Sequence, residues 1–172
     1  EMIWSAINDN ESRRSSGRII KSDDCVLYLT AQSIRAFNET TGELKWENNL
    51  KPYDAFLTEG GKLCILTGTD LLMLNTETGE QLWKTQFNDS DPVLPDIPYL
   101  LETTEDLAII LKDSLTIYDK KTGSKSGGPF RTEGRIPLVK GGELLWYTPA
   151  DSIAKWDKLT GFQNILQVRD TI

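Results

Sequence analysis

The sequence predicts an all-β fold, a β-propeller of four-stranded blades, and three observations predict it. A Thr-Gly turn recurs with glycines at Gly42, Gly79, Gly123 and Gly161, at intervals of 37, 44 and 38 residues, which is the roughly forty-residue period of one blade. Each interval contains short runs rich in Leu, Ile, Val and aromatic residues, separated by turn chemistry such as SDD, EGG, TTED and KGG. No segment sustains helical apolar spacing over the ~10 residues that separate a helix from a buried strand.

The elements follow in chain order. EMIWSA, residues 1–6, reads as the last strand of a preceding blade, with Trp4 in the place a tryptophan holds after a Thr-Gly pair. Blade 1 spans 18–50, with strands at RII (18–20), LYLT (27–30) and SIRAFN (33–38) before its turn and last strand. Blade 2 spans 55–87, with AFL (55–57), CILT (64–67) and LLMLN (71–75). Blade 3 spans 99–130, with YLL (99–101), AIIL (108–111) and LTIYD (115–119). Blade 4 spans 137–168, with PLV (137–139), LWYT (145–148) and SIAKWD (152–157). Such a meander cannot bury both faces alone, so the units stack on one another. Seven or eight blades need roughly 300 residues at about forty each, so four blades predict a partial or incomplete propeller. It is a fragment of a longer chain, a part closed by a second copy into a larger ring, or a rare four-bladed ring; an unclosed ring leaves sheet edges exposed to pairing. The first residue is Glu, which is consistent with an upstream region.

The turn between the third and fourth strands (C and D) has its own chemistry. A tight hairpin needs positive φ, which glycine adopts at least cost. Asn38, Asn75, Asp119 and Asp157, each four residues before the glycine, can accept hydrogen bonds from backbone N–H groups of the same turn. Four residues beyond the glycine stand Trp46 and Trp83, placed to bury an indole between neighbouring blades. The third unit has Gly127 there and the fourth Ile165.

On these residues the pattern in SIRAFNETTGELKWE and LLMLNTETGEQLWK resembles the tryptophan-docking repeat of PQQ-type β-propellers, a family with quinoprotein dehydrogenases and non-catalytic members. The resemblance covers nearly the whole chain. The WD40 pattern is a competitor through IAKWDKLTG, but its Gly-His dipeptide cannot occur in a chain without histidine. The resemblance to the enzymes raises PQQ and calcium as ligands. These enzymes are much longer, and the vicinal Cys-Cys pair of their alcohol-oxidising branch is absent. The non-catalytic branch, with no cofactor and no metal, is therefore the expectation.

Composition points the same way. The net charge is −7, which argues against nucleic acid or an anionic membrane as the partner. The absence of histidine removes a Ser/His/Asp triad, a Cys/His pair and a histidine-ligated zinc site within this chain. Cys25 and Cys64 make neither a thiolate metal site nor a CxxC motif. They fall on or beside second strands of successive blades; stacked sheets sit ~10 Å apart, so buried or partly buried free thiols are expected. Sequons occur at Asn10, Asn38 and Asn88. No apolar run approaches the ~18 residues of a membrane-spanning helix, and direct membrane insertion is not expected.

Function is expected on loops. The longest links between blades carry Arg13 and Arg14 beside Arg18, and Asp89, Asp91 and Asp96 among Pro92, Pro95 and Pro98. Proline restricts the second link and lowers the entropic cost of ordering it on a partner. The reading is a non-enzymatic scaffold or recognition domain for proteins in an extracytoplasmic setting, periplasm or secretory-pathway lumen. The alternatives are a sensory ectodomain that self-associates, as a homodimer for example, through exposed sheet edges, and a fragment of a PQQ-dependent dehydrogenase.

Overall fold

A computed structural model describes residues 17–23, 25–58, 60–86, 99–111, 113–148, 152–157 and 161–167. These residues form four antiparallel four-stranded meanders, with no helix among them. Blade 1 is β1 (Arg18–Lys21), β2 (Cys25–Leu29), β3 (Ile34–Asn38) and β4 (Leu44–Asn48); blade 2 is β5 (Asp54–Leu57), β6 (Lys62–Leu66), β7 (Asp70–Asn75) and β8 (Gln81–Gln86). Blade 3 is β9 (Tyr99–Glu102), β10 (Asp106–Leu111), β11 (Ser114–Asp119) and β12 (Lys125–Arg131). Blade 4 is β13 (Ile136–Lys140), β14 (Glu143–Thr148), β15 (Ser152–Asp157) and β16 (Gly161–Gln167). Strand order within each sheet follows the chain, as hairpin-linked meanders require. The expected fold class, four-stranded propeller blades, is the one observed.

The chain divides into two compact units, Glu1–Val93 with blades 1 and 2, and Leu94–Ile172 with blades 3 and 4. In the first, alternation along β2 buries Cys25, Leu27 and Leu29 and leaves Val26 and Tyr28 half-buried. The buried side chains meet Leu63, Ile65, Leu72 and Leu74 of blade 2 in one cluster, joined by Ile34, Ala36 and Ala55. In the second unit, Ala108, Ile110, Leu115 and Ile117 of blade 3 meet Leu144, Trp146 and Ala154 of blade 4. Within each unit the earlier blade thus packs through one face, here called forward, on the opposite, backward face of the later blade, and sheet register carries both names to all four blades.

Sheet register shows what each forward face carries. Across blade 1 the row is Ile20, Leu27, Ala36 and Trp46; across blade 2 it is Phe56, Cys64, Met73 and Trp83. In blade 3 it is Leu101, Ala108, Ile117 and Gly127. In blade 4 the row is Leu138, Leu145, Lys155 and Gln163. That last pairing corrects the sequence alignment, which put Ile165 in the tryptophan's place. Counting from Gly161 assumes the same bulge in every blade. In blade 1 the extra residue lies between Leu44 and Trp46, whereas in blade 4 the pairing shifts between Asn164 and Leu166. Ile165 is therefore the residue out of register.

Candidate interaction surface

Asn38, Gly42, Trp46, Asn75, Gly79, Asp119 and Gly123 are engaged in building the blades. Gly42, Gly79 and Gly123 have φ of 73°, 73° and 71°, the left-handed region that glycine enters without a Cβ clash. Asn38 Oδ1 accepts from the N–H groups of Thr40 and Thr41 at 2.8 and 2.9 Å. Asn75 Oδ1 accepts from Glu77 and Thr78, and Asp119 Oδ1 from Lys121 and Thr122. The Thr122 hydroxyl also donates to Asp119 at 2.9 Å; this bond, then the Thr122 N–H, holds the Asp119 carboxyl below its ordinary pKa. Asp157 ends β15 and Gly161 begins β16, facing each other in the ladder.

Trp46 shows what the indole does. Its Nε1 donates to the Thr76 carbonyl of blade 2 at 2.9 Å. Its ring lies over Gly79, where an added Cβ would stand 2.6 Å from Cδ2. The Thr76 carbonyl also accepts from Cys25 Sγ at 3.3 Å. The Thr76 hydroxyl donates to the Gly61 carbonyl at 2.7 Å and lies 3.3 Å from Ser22 Oγ. Thr76 is thus the junction between blades 1 and 2, and nothing in the repeat marks it, because the equivalent residues are Glu39 and Lys120. Those two hold their own blades together instead. Glu39 pairs with Lys21 at 2.5 Å, raising the ammonium's pKa through that hydrogen bond, and Lys120 pairs with Glu102 at 2.9 Å. Cys25 and Cys64 are buried and form no disulfide.

With the motif occupied internally, the residues open to a partner lie elsewhere. Arg18 opens β1 and pairs with Asp54, which opens β5, at 3.2 Å. These two line a recess of about 250 Å³ with Leu29, Thr30, Pro52 and Tyr53. Tyr53 stands on the link between blades 1 and 2 and is 55% exposed. Sequence reasoning passed over it because that link is short and carries no charge cluster. Arg13, Arg14, Asp89, Asp91, Asp96 and Trp4 lie outside the described residues. The link between blades 3 and 4 is held to the β10–β11 turn: the Thr132 hydroxyl donates to Asp113, and the Gly134 N–H does so at 3.3 Å. Those bonds, the hydroxyl first, hold the Asp113 carboxyl below its ordinary pKa.

Among the described residues, no group of three or more Cys, Asp or Glu is placed to hold a metal ion, and no helix is long and apolar enough to cross a membrane. What the surface offers chemically is an exposed aromatic ring beside an arginine–aspartate pair, which suits binding.

The family model described as outer membrane protein assembly factor BamB matches residues 30–163. No curated protein sequence matches the chain. Among solved structures, BamB from Moraxella catarrhalis is similar at 18% identity and a TM-score of 0.58, over 88% of this chain and 52% of that one. A protein of unknown function from Bacteroides caccae is similar at 12% identity and a TM-score of 0.60, over 92% and 62%. Hsv2p from Kluyveromyces lactis is similar at 9% identity and a TM-score of 0.56, over 86% and 49%. Identities this low establish the fold alone. The chain spans about half the length of the BamB and Hsv2p structures.

Proposed function

The chain belongs to the family described as outer membrane protein assembly factor BamB, and from that premise we propose that it is a non-enzymatic propeller module whose partners are other proteins. One observation carries the reading. Asn38, Asn75, Asp119 and the turn glycines shape the turns and Trp46 the blade 1–blade 2 seam, and the surface elsewhere carries Tyr53, Arg18 and Asp54 around a recess. Exposed aromatic and arginine side chains are the residues that anchor protein interfaces. The absence of histidine and the net charge of −7 favour a protein partner over catalysis by a histidine base or binding to nucleic acid. We place the partner surface on the links between blades, with Arg13, Arg14, Asp89, Asp91 and Asp96 contributing alongside Arg18. The family's name refers to an outer membrane, and a location outside the cytoplasm is the compartment inferred.

Two measurements test this. A photo-crosslinking residue at Tyr53 should capture a partner that the same residue at Thr40, on a C–D turn, does not, and Arg18→Ala should lower the yield. Equal capture at both positions refutes the surface. Adding PQQ with calcium should leave the melting temperature unchanged; a saturable rise refutes the non-enzymatic reading in favour of a cofactor-binding one.

A further inference from the structure

The forward face of blade 4 and the backward face of blade 1 are built differently from the faces of blades 2 and 3. Strands β6, β7 and β10 each carry four consecutive buried residues, so both of their faces are covered. In β2 and β14 only alternate residues are buried. On the forward face of blade 4, Ile136 stands opposite Tyr147 and Tyr147 opposite Ile153, beside the row begun by Leu138 and Leu145. Ile136 is 57% exposed and Tyr147 37%. On the backward face of blade 1, Ile19 stands opposite Tyr28, and Ile19 is 69% exposed. Further from these apolar halves each face carries an ion pair within its own sheet, Lys155 with Glu143 on blade 4 and Arg35 with Glu47 at 2.8 Å on blade 1.

We propose that the forward face of blade 4 binds the backward face of blade 1 of a second copy of this chain. The direction follows from the molecule itself. At both described seams, a forward face packs on the backward face of the next blade, never like on like. Carrying the blade 1–blade 2 seam onto the proposed contact gives a specific match. Ser22, which meets Thr76 at that seam, corresponds in register to Lys140, and Thr76 corresponds to Glu39. The polar contact between two hydroxyls is thereby replaced by opposite charges, Lys140 approaching a carboxylate that Lys21 already holds at 2.5 Å. A head-to-tail contact of this kind gives a dimer where it closes and a longer assembly where it does not. It deepens the protein-binding reading by naming one partner, and rests on it; capture at Tyr53 is a separate readout, so either can fail without the other.

The test is the mass of the whole chain in solution, by light scattering on gel filtration over a wide concentration range. The expected result is a concentration-dependent rise from 19.4 kDa to at least twice that mass. Ile19→Asp alone, and Ile136→Asp with Tyr147→Asp, should each abolish the rise while the far-ultraviolet spectrum stays that of a β protein. Mixing the two variants should restore association, because each retains the face the other lacks. A strict monomer at every concentration overturns the proposal. So does a dimer that persists in both variants, or a wild-type dimer whose variants fail to associate when mixed.

Discussion

The docking of Trp46 on Gly79 can be tested by a double-mutant cycle. Gly79→Ala acts in two ways that the cycle separates. The backbone there is left-handed, at φ 73°, which costs an alanine about 1–2 kcal/mol. The new Cβ would also lie 2.6, 2.8 and 2.9 Å from three atoms of the Trp46 ring, against ordinary carbon contacts of about 3.5–4.0 Å. The ring must retreat, and overpacking of this kind costs roughly 1–3 kcal/mol. Retreat also strains the 2.9 Å bond from Nε1 to the Thr76 carbonyl, worth about 1 kcal/mol. In the wild type, Gly79→Ala should therefore cost about 3–6 kcal/mol. In a Trp46→Ala background only the backbone part, about 1–2 kcal/mol, remains. The coupling energy is then about 2–4 kcal/mol, at the upper end of the range found for residues in contact or above it. Urea unfolding followed by circular dichroism avoids reliance on the removed fluorophore. If Gly79→Ala costs the same in both backgrounds to within about 0.5 kcal/mol, Trp46 does not dock on Gly79 and the seam is held otherwise.

Three further outcomes are expected. Asp113, whose carboxyl is held below its ordinary pKa chiefly by the Thr132 hydroxyl, stabilises the fold at pH values above the unfolded pKa of about 3.9. That contribution is lost as pH falls through the lower folded value. Asp113→Asn should flatten the acid limb of a melting-temperature profile below about pH 4, and an unchanged limb counts against these bonds. Asn75→Asp should be nearly neutral, since Asp119 accepts the equivalent pair of bonds in blade 3, whereas Asn75→Ala should cost about 1 kcal/mol in chemical denaturation; equal losses would refute the Asx role. Cys25 and Cys64 are almost fully buried and should resist an aromatic disulfide reagent in the native protein, both reacting once the chain is unfolded; prompt native reaction of either would contradict its burial.

What the sequence made legible was local chemistry. Asn75, Gly79 and Trp83 lie within one short segment, and a turn's need for an acceptor and a positive φ is written in that segment itself. Arg18 could be flagged as a charge at the start of a blade, but its partner Asp54 could not, because their pairing depends on two strands meeting. Thr76 escaped for the same reason. It is an ordinary turn residue until Trp46, Cys25 and Ser22 converge on it from the previous blade. The place of the tryptophan in blade 4 escaped because a bulge changes which residue faces which, and counting from a glycine carries no information about bulges.

The loss of the indole from blade 3 shows how one seam can be made in two ways. Gly127 leaves a gap opposite Ile117, where Trp46 stands opposite Ala36 in blade 1. Phe130 of the same strand lies over that gap, 3.3 Å from where a Cβ on Gly127 would be, and packs into the blade 3–blade 4 cluster. The large indole of this seam comes from the receiving blade: Trp146 is fully buried there, in company with the small side chains of Ala108 and Ala154. Residues in the register of Ala108 are Leu27 in blade 1 and Cys64 in blade 2, and in the register of Ala154, Arg35 and Leu72. A larger side chain at either alanine would compete with the indole for space in a close-packed interior. The tryptophan has thus moved across the seam, and two positions have shrunk to receive it. Blade 4 shows no matching exchange on its forward face, where Lys155 and Gln163 occupy the register of Ala36 and Trp46. The second copy proposed to bind that face would meet Ile136, Leu138, Leu145 and Tyr147 on its first two strands, with polar groups near Lys140 and Lys155. The backward face of blade 1 offers Ile19 and Tyr28 to that apolar row, and the carboxylates of Glu39 and Glu47, each already held by a cation of its own sheet, to the lysines.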